Sequence, residues 1–205
     1  MKVDFRVYLI TDRRVVRGKL IEAVEQALKG GIRAVQLREK DLPVRQLLEM
    51  AEKMRELTTR YRARLFINDR VDVAMAVGAD GVHLGGNSMP AHAVRKVVGD
   101  RMLIGVSTHS LEEALDAERQ GADFVTFSPV FDTPSKRIYG PPQGLEKLRT
   151  VVERVGIPVF ALGGIKADNI PDVFNTGVYG ISMISAILGA EDIEEKSREI
   201  VRLTK

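Results

Sequence analysis

One local pattern recurs four times in the chain: a glycine, two linking residues, then an apolar run. It reads Gly31-Ile32-Arg33-Ala34-Val35-Gln36-Leu37, Gly78-Ala79-Asp80-Gly81-Val82-His83-Leu84, Gly121-Ala122-Asp123-Phe124-Val125-Thr126-Phe127 and Gly177-Val178-Tyr179-Gly180-Ile181-Ser182-Met183. A glycine in that place takes the left-handed backbone that closes a helix, after which the chain turns directly into a strand. The glycines are 47, 43 and 56 residues apart, each interval about two strand-plus-helix units, and 205 residues hold eight such units. Strands at Val7 to Thr11, Arg64 to Asn68, Met102 to Ser107 and Ile157 to Leu162 complete the set of eight.

Between the strands the apolar period is helical. Leu20, Ile21, Val24, Ala27 and Leu28 form one stripe, and Val44, Leu47, Leu48, Ala51, Met54 and Leu57 form another, both expected in the core. Further helices are expected over 70–77, 90–98, 110–120, 143–154, 167–175 and 191–203. The expected fold is α/β: a compact (β/α)8 TIM barrel in which residues 1–205 make one domain. An open doubly wound sheet is the runner-up, but no Gly-x-Gly-x-x-Gly follows the first strand.

Composition narrows the class. Hydrophobic residues at 44% and charged residues at 29% suit a soluble globule, and no apolar run approaches the roughly 20 residues that cross a membrane. With no cysteine there are no disulfides or thiolate metal sites. The balance of 31 basic against 28 acidic residues is interspersed, which argues against nucleic acid as a partner. A cytoplasmic protein acting on small molecules, free to self-associate, is expected.

Seven strand ends carry nearly all the unusual chemistry, as expected at the mouth of a parallel barrel. After the seventh strand stands Gly163-Gly164-Ile165, and after the eighth Ile184-Ser185-Ala186 opens a short helix. Two such adjacent loops make a phosphate cradle from backbone N–H groups, although a Gly-Gly pair alone is often only a tight turn. The longest loop, Pro129 to Gly144, has the length of a lid or binding segment. Its Thr133, Ser135 and Lys136 suit phosphate oxygens, whereas Arg137 and Tyr139 fit a solvated loop as well.

Arg38 and Lys40 leave the second strand together, an arrangement suited to a diphosphate, and alternation puts Gln36 on the same face as Arg38. Asn68 and Asp69 end the third strand, where Asp69 suits either a hydrated magnesium ion or a salt bridge to Arg38 or Arg70. Of the three histidines, His92 reads as a surface or packing residue, His109 as a group that caps or orients a helix start, and His83 as buried in a strand.

The segments Tyr8-Leu9-Ile10-Thr11-Asp12, Gln36-Leu37-Arg38-Glu39-Lys40-Asp41, Ile67-Asn68-Asp69-Arg70-Val71-Asp72, Gly78 to Gly85, Ile104 to Ser110 and Met183-Ile184-Ser185-Ala186-Ile187 resemble the thiamine-phosphate synthase family in order and spacing, from about Val7 to Leu188. The resemblance implies a Mg2+-dependent transferase that joins hydroxymethylpyrimidine diphosphate to thiazole phosphate and releases diphosphate. It places Gln36 and His83 near the pyrimidine, Arg38, Lys40, Asn68, Ser107 and Lys136 on the diphosphate, and Asp69 on magnesium. Thr133, Ser135, Gly164, Ile184 and Ser185 fall on the thiazole phosphate.

One departure stands out. Where the family shows Gly-Gln-Glu-Asp, this chain has Gly85-Gly86-Asn87-Ser88, so a second magnesium carboxylate falls on Ser88. The segment Gly85 to Pro90 also resembles the thiazole tautomerase branch, although Pro129 stands where that branch places a histidine, leaving His83 or Glu39 for proton transfer. An isomerase and a non-catalytic binder of thiazole phosphate or thiamine phosphate are therefore the alternatives.

Overall fold

The computed structural model describes residues 2–133 and 141–205. Eight parallel strands, β1 (Val7–Ile10), β2 (Ala34–Leu37), β3 (Arg64–Asn68), β4 (Gly81–Leu84), β5 (Leu103–Thr108), β6 (Phe124–Phe127), β7 (Val159–Leu162) and β8 (Gly180–Met183), pair in sequence order. Pairing of Leu9 with Met183 closes the barrel. The helices are α1 (Leu20–Lys29), α2 (Val44–Arg60), α3 (Val71–Ala76), α4 (Ala91–Val98), α5 (Leu111–Arg119), α6 (Gly144–Arg154), α7 (Ile170–Phe174), α8 (Ser185–Leu188) and α9 (Ile193–Leu203).

The corner glycines behave as their pattern requires: Gly31, Gly78, Gly121 and Gly177 all have positive φ, from 59° to 107°. Each ends a helix and turns the chain into the next strand. Two expectations need correction. Val44 is 47% exposed rather than core, because it is the first helical residue of α2, in a turn whose neighbours Pro43, Arg45 and Gln46 are exposed as well. The helix expected over 167–175 is only Ile170–Phe174, because residues before it form a turn held by Asn169, whose Oδ1 accepts from Lys166 N at 2.8 Å and whose Nδ2 donates to the Gly164 carbonyl at 3.0 Å.

Two apolar layers result. The outer one packs the helices against the strands, and the inner one fills the barrel with Phe5, Tyr8, Ile10, Phe66, Leu103, Phe124 and Phe160. Large rings fit inside because a glycine faces each: Phe66 pairs with Gly81, Phe124 with Gly105 and Phe160 with Gly180, and a Cβ at any of these glycines would collide with the ring. Phe5 plugs the lower end, with centroids 5.2 Å from Phe160 and 5.6 Å from Phe66. Each buried ring stabilises by about 1.5–3 kcal/mol. This packed aromatic floor leaves the polar strand ends at the opposite mouth as the place for chemistry.

Candidate active site at the barrel mouth

The polar half of the mouth is built on β1 to β5. Thr11, fully buried, accepts the Arg38 N–H at 2.9 Å and donates to Glu39 Oε1 at 2.7 Å. Glu39, 5% exposed, also accepts from Arg13 N at 3.2 Å and from Arg13 Nη1 at 3.1 Å, and the same guanidinium forks onto Asp41 at 2.7 and 2.8 Å. This clamp pins the turn that carries Arg38 and Lys40. Nothing in the sequence pattern announces it, since its members come from two loops 26 residues apart.

Asp69 follows β3 in a left-handed conformation, φ 60°, an outlier of the kind concentrated at functional sites. Its N–H donates to the His83 carbonyl at 2.9 Å. Its Oδ2 accepts from Asn68 Nδ2 at 2.6 Å and lies 4.0 Å from Lys40 Nζ, while its Oδ1 takes the Ser88 hydroxyl. Ser88 Oγ in turn accepts the Gly85 N–H at 2.6 Å. The salt bridge to Arg38 or Arg70 does not form: Arg70 pairs with Asp72, and the cation beside Asp69 is Lys40. Gln36, 1% exposed, reaches Asn68 Oδ1 at 3.5 Å. The structure thus brings Gln36, Asn68 and Asp69 into one hydrogen-bonded array with Lys40 Nζ 4.0 Å from Asp69, and Lys40, Asn68 and Asp69 line a cavity of about 230 Å³ with Arg70.

His83 stands inside the barrel with Nε2 3.0 Å from Ser107 Oγ and Nδ1 3.4 Å from the Tyr8 hydroxyl. Burial pushes its pKa down to about 3; Asp69 opposes that, and the positive charges of Arg38 and Lys40 add to it. The imidazole is therefore neutral at pH 7. His92 is a surface residue bonded to Gln120, as expected. His109 sits just before α5, where its N–H donates to Glu113 Oε2 at 2.7 Å, but the side-chain cap is Ser110, and His109 Nδ1 donates to the Ser128 carbonyl at 2.7 Å, tying β5 to β6.

The other half, β6 to β8, surrounds a cavity of about 510 Å³ lined by Thr133, Gly164, Ile184 and Ser185 together with Gly163 and Ser182. Gly164 has φ 67°, and a Cβ there would come within 2.6 Å of Phe131 Cβ, so only glycine permits this turn. Ser185 opens α8. The hydroxyls of Thr133 and Ser182 are buried with no partner among the described residues. Lys166 and Lys196 also line this cavity and escaped sequence reasoning; Lys196 sits on α9, whose apolar stripe reads as ordinary core packing. Ser135 and Lys136, like Arg137 and Tyr139, lie outside the described residues.

Comparison with known proteins gives a consistent picture. A family model described as thiamine monophosphate synthase matches residues 7–187. A putative thiamine-phosphate synthase of Geobacter sulfurreducens is 55% identical over 203 residues, covering 98% of this chain and 95% of that one. A thiamine-phosphate synthase of Clostridium novyi is 44% identical, covering 99% and 100%. Among solved structures, thiamine phosphate pyrophosphorylase from Pyrococcus furiosus superposes with a TM-score of 0.90 at 44% identity, covering 98% of this chain and 95% of that chain.

Proposed function

Because the chain belongs to the thiamine monophosphate synthase family, we propose that its two mouth halves hold the two substrates of that reaction, and that it is a transferase making thiamine phosphate. The observation that carries this reading is the division of the mouth. Lys40, Asn68 and Asp69 meet at the ends of β2 and β3, and across the barrel Gly163, Gly164, Ile184 and Ser185, just after β7 and β8, line a separate cavity. The first half suits a diphosphate and the second a phosphate monoester.

In this reading Arg38, Lys40, Asn68 and Ser107, with Lys136, bind the diphosphate and stabilise its charge as the bond to the pyrimidine methylene breaks. Gln36 and His83 hold the pyrimidine, and a neutral His83 adds no charge beside a methylene that becomes cationic. Thr133, Ser135, Gly164, Ile184 and Ser185 anchor the thiazole phosphate so that the ring nitrogen, already in place, forms the new C–N bond. Proximity and preorganised positive charge then supply most of the acceleration.

The residues present fit magnesium only as a site shared with substrate. Asp69 is a lone carboxylate that accepts from the Asn68 amide nitrogen and the Ser88 hydroxyl, and among the described residues no group of three His, Asp or Glu side chains converges. Magnesium commonly rests on one or two carboxylates, several waters and substrate phosphates. When bound there, the ion would supply positive charge beside the leaving diphosphate.

The isomerase alternative finds little support for proton transfer among the described residues: both oxygens of Glu39 are engaged by Thr11 and Arg13, burial makes His83 a weak base, and Pro129 stands where that branch places a histidine. Small-molecule substrates and a cytoplasmic setting complete the proposal, and no described helix is long and apolar enough to cross a membrane. The test is a coupling assay with pyrimidine diphosphate and thiazole phosphate, in Mg2+ or EDTA. Thiamine phosphate and diphosphate should appear only with Mg2+, and Arg38→Ala or Lys40→Ala should each lower kcat/KM about 100-fold. Folded protein that binds both substrates without turnover would leave the non-catalytic binder.

A further inference from the structure

We propose that Tyr8 is a positioning residue: it fixes which nitrogen of His83 carries the proton, and so makes the Ser107 hydroxyl an outward hydrogen-bond donor to a diphosphate oxygen. The inference rests on the reading that the β2 to β5 half of the mouth takes the diphosphate, and it supplies the mechanism for one of its contacts.

Three side chains form a hydrogen-bonded chain whose protons can be counted. Tyr8, His83 and Ser107 come from β1, β4 and β5, with the imidazole in the middle. The Tyr8 hydroxyl has His83 Nδ1 at 3.4 Å as its partner, and His83 Nε2 has Ser107 Oγ at 3.0 Å. Tyr8 and His83 are buried, whereas Ser107 is half-buried at the mouth. A neutral imidazole carries a single N–H, so the chain can run in one of two directions.

If Nδ1 held the proton it would donate to Tyr8, and the phenol proton would be left in an aromatic box with no acceptor. Phe66 and Phe124 lie with ring centroids 5.2 and 5.5 Å from Tyr8, and neither offers a lone pair. An orphaned buried donor is unfavourable, so that direction is disfavoured. In the other direction Tyr8 donates to Nδ1, Nε2–H donates to Ser107 Oγ, and every buried donor is satisfied. The Ser107 proton must then point away from the imidazole, toward the mouth, where an anionic oxygen is the natural acceptor.

The surroundings hold the imidazole to this arrangement. The Gly105 backbone lies beside the ring, and a Cβ there would come within 2.6 Å of Nδ1, so the absence of a side chain on β5 is what lets the ring reach both partners.

The experiment reads proton position and binding separately. Imidazole 15N–1H correlation spectra of the wild-type chain should show His83 protonated at Nε2 with Nδ1 unprotonated, and Tyr8→Phe, which removes the donor to Nδ1, should raise the share of the Nδ1-protonated form. Tyr8→Phe should weaken binding of inorganic diphosphate, measured calorimetrically, about 10-fold, because Ser107 is then free to donate to Nε2 instead. Ser107→Ala should lose a similar factor, and the double variant should lose no more than the larger single loss. A wild-type His83 protonated at Nδ1, or losses that multiply in the double variant, would overturn the proposal. None of these readouts requires turnover, so failure of the coupling assay and failure of this inference are separable.

Discussion

Thr126 Oγ1 and Ser182 Oγ sit inside the barrel without a hydrogen-bond partner among the described residues. Such a hydroxyl costs a fold about 1–3 kcal/mol, and a protein that keeps one at a cavity wall has a use for it when a ligand arrives. Thr126→Val keeps the shape and removes the orphan. It should therefore raise the melting temperature, by about 2–4 °C for each kcal/mol regained in a chain of this size. Ser182→Ala should shift stability the same way while raising KM for the thiazole phosphate, because Ser182 lines the 510 Å³ cavity. Circular-dichroism melts check both; a lower melting temperature for Thr126→Val would mean that its hydroxyl is satisfied in the native state. The opposed effects on stability and binding separate a ligand-facing hydroxyl from a merely buried one.

At the scale of elements, the Gly-Ala-Asp corners do more than turn the chain. Asp80, before β4, accepts from Leu65 N at 2.8 Å, from Arg55 of α2 at 2.7 Å and from Arg64 at 3.1 Å. Asp123, before β6, repeats the device with Ile104 N at 2.6 Å and Arg95 of α4 at 2.6 Å. Each carboxylate ties a corner to the preceding strand and to the helix before that strand. Burial raises the Asp80 pKa, but the Leu65 N–H and the Arg55 and Arg64 guanidinium groups outweigh it, so the net shift is downward. A depressed folded pKa means that the stabilisation is present above the unfolded value of about 3.9 and is lost as pH falls through the folded one. Asp80→Asn should therefore melt lower than wild type at pH 7, by an amount equivalent to about 1.5–3 kcal/mol, and lose less on further acidification below pH 4. Melting curves from pH 7 to pH 3 test this, and parallel curves for the two proteins would refute it. The glycine period made the corners and the eight strands legible in the sequence, because backbone conformation at a helix end is a local property. The carboxylate ties were not legible, since their partners lie 15 to 28 residues away. In the site, Gln36 was legible from strand alternation and Asn68 from its place at a strand end, while His83 and Ser107 were legible only through the family resemblance. Tyr8 reads only as core, and α9 brings Lys196 to the cavity by packing that no short-range pattern encodes.

The whole molecule is a packed aromatic floor beneath a mouth whose two halves, in the proposed reading, must be filled together for coupling to occur. On the side proposed for the diphosphate the protein offers cations and a single carboxylate whose oxygens already accept from Asn68 and Ser88. A dication alone gains little by displacing those donors, whereas diphosphate brings oxygens that complete its preferred octahedral shell. Stability should report this coupling, because any ligand that binds only the folded state raises it by RT ln(1 + [L]/Kd). Inorganic diphosphate with Mg2+, at about 100 times its Kd, should add about 2.7 kcal/mol and raise the melting temperature by about 5–10 °C. Mg2+ alone at the same concentration should leave it nearly unchanged, and Asp69→Asn should reduce the joint shift to that of diphosphate alone. Ser88→Asp places a second carboxylate beside Asp69, so Mg2+ alone should then shift the melt. If Mg2+ alone stabilised the wild type as much as the pair does, the ion would be held by the protein without help from substrate, and the account of Asp69 as half of a shared site would fail.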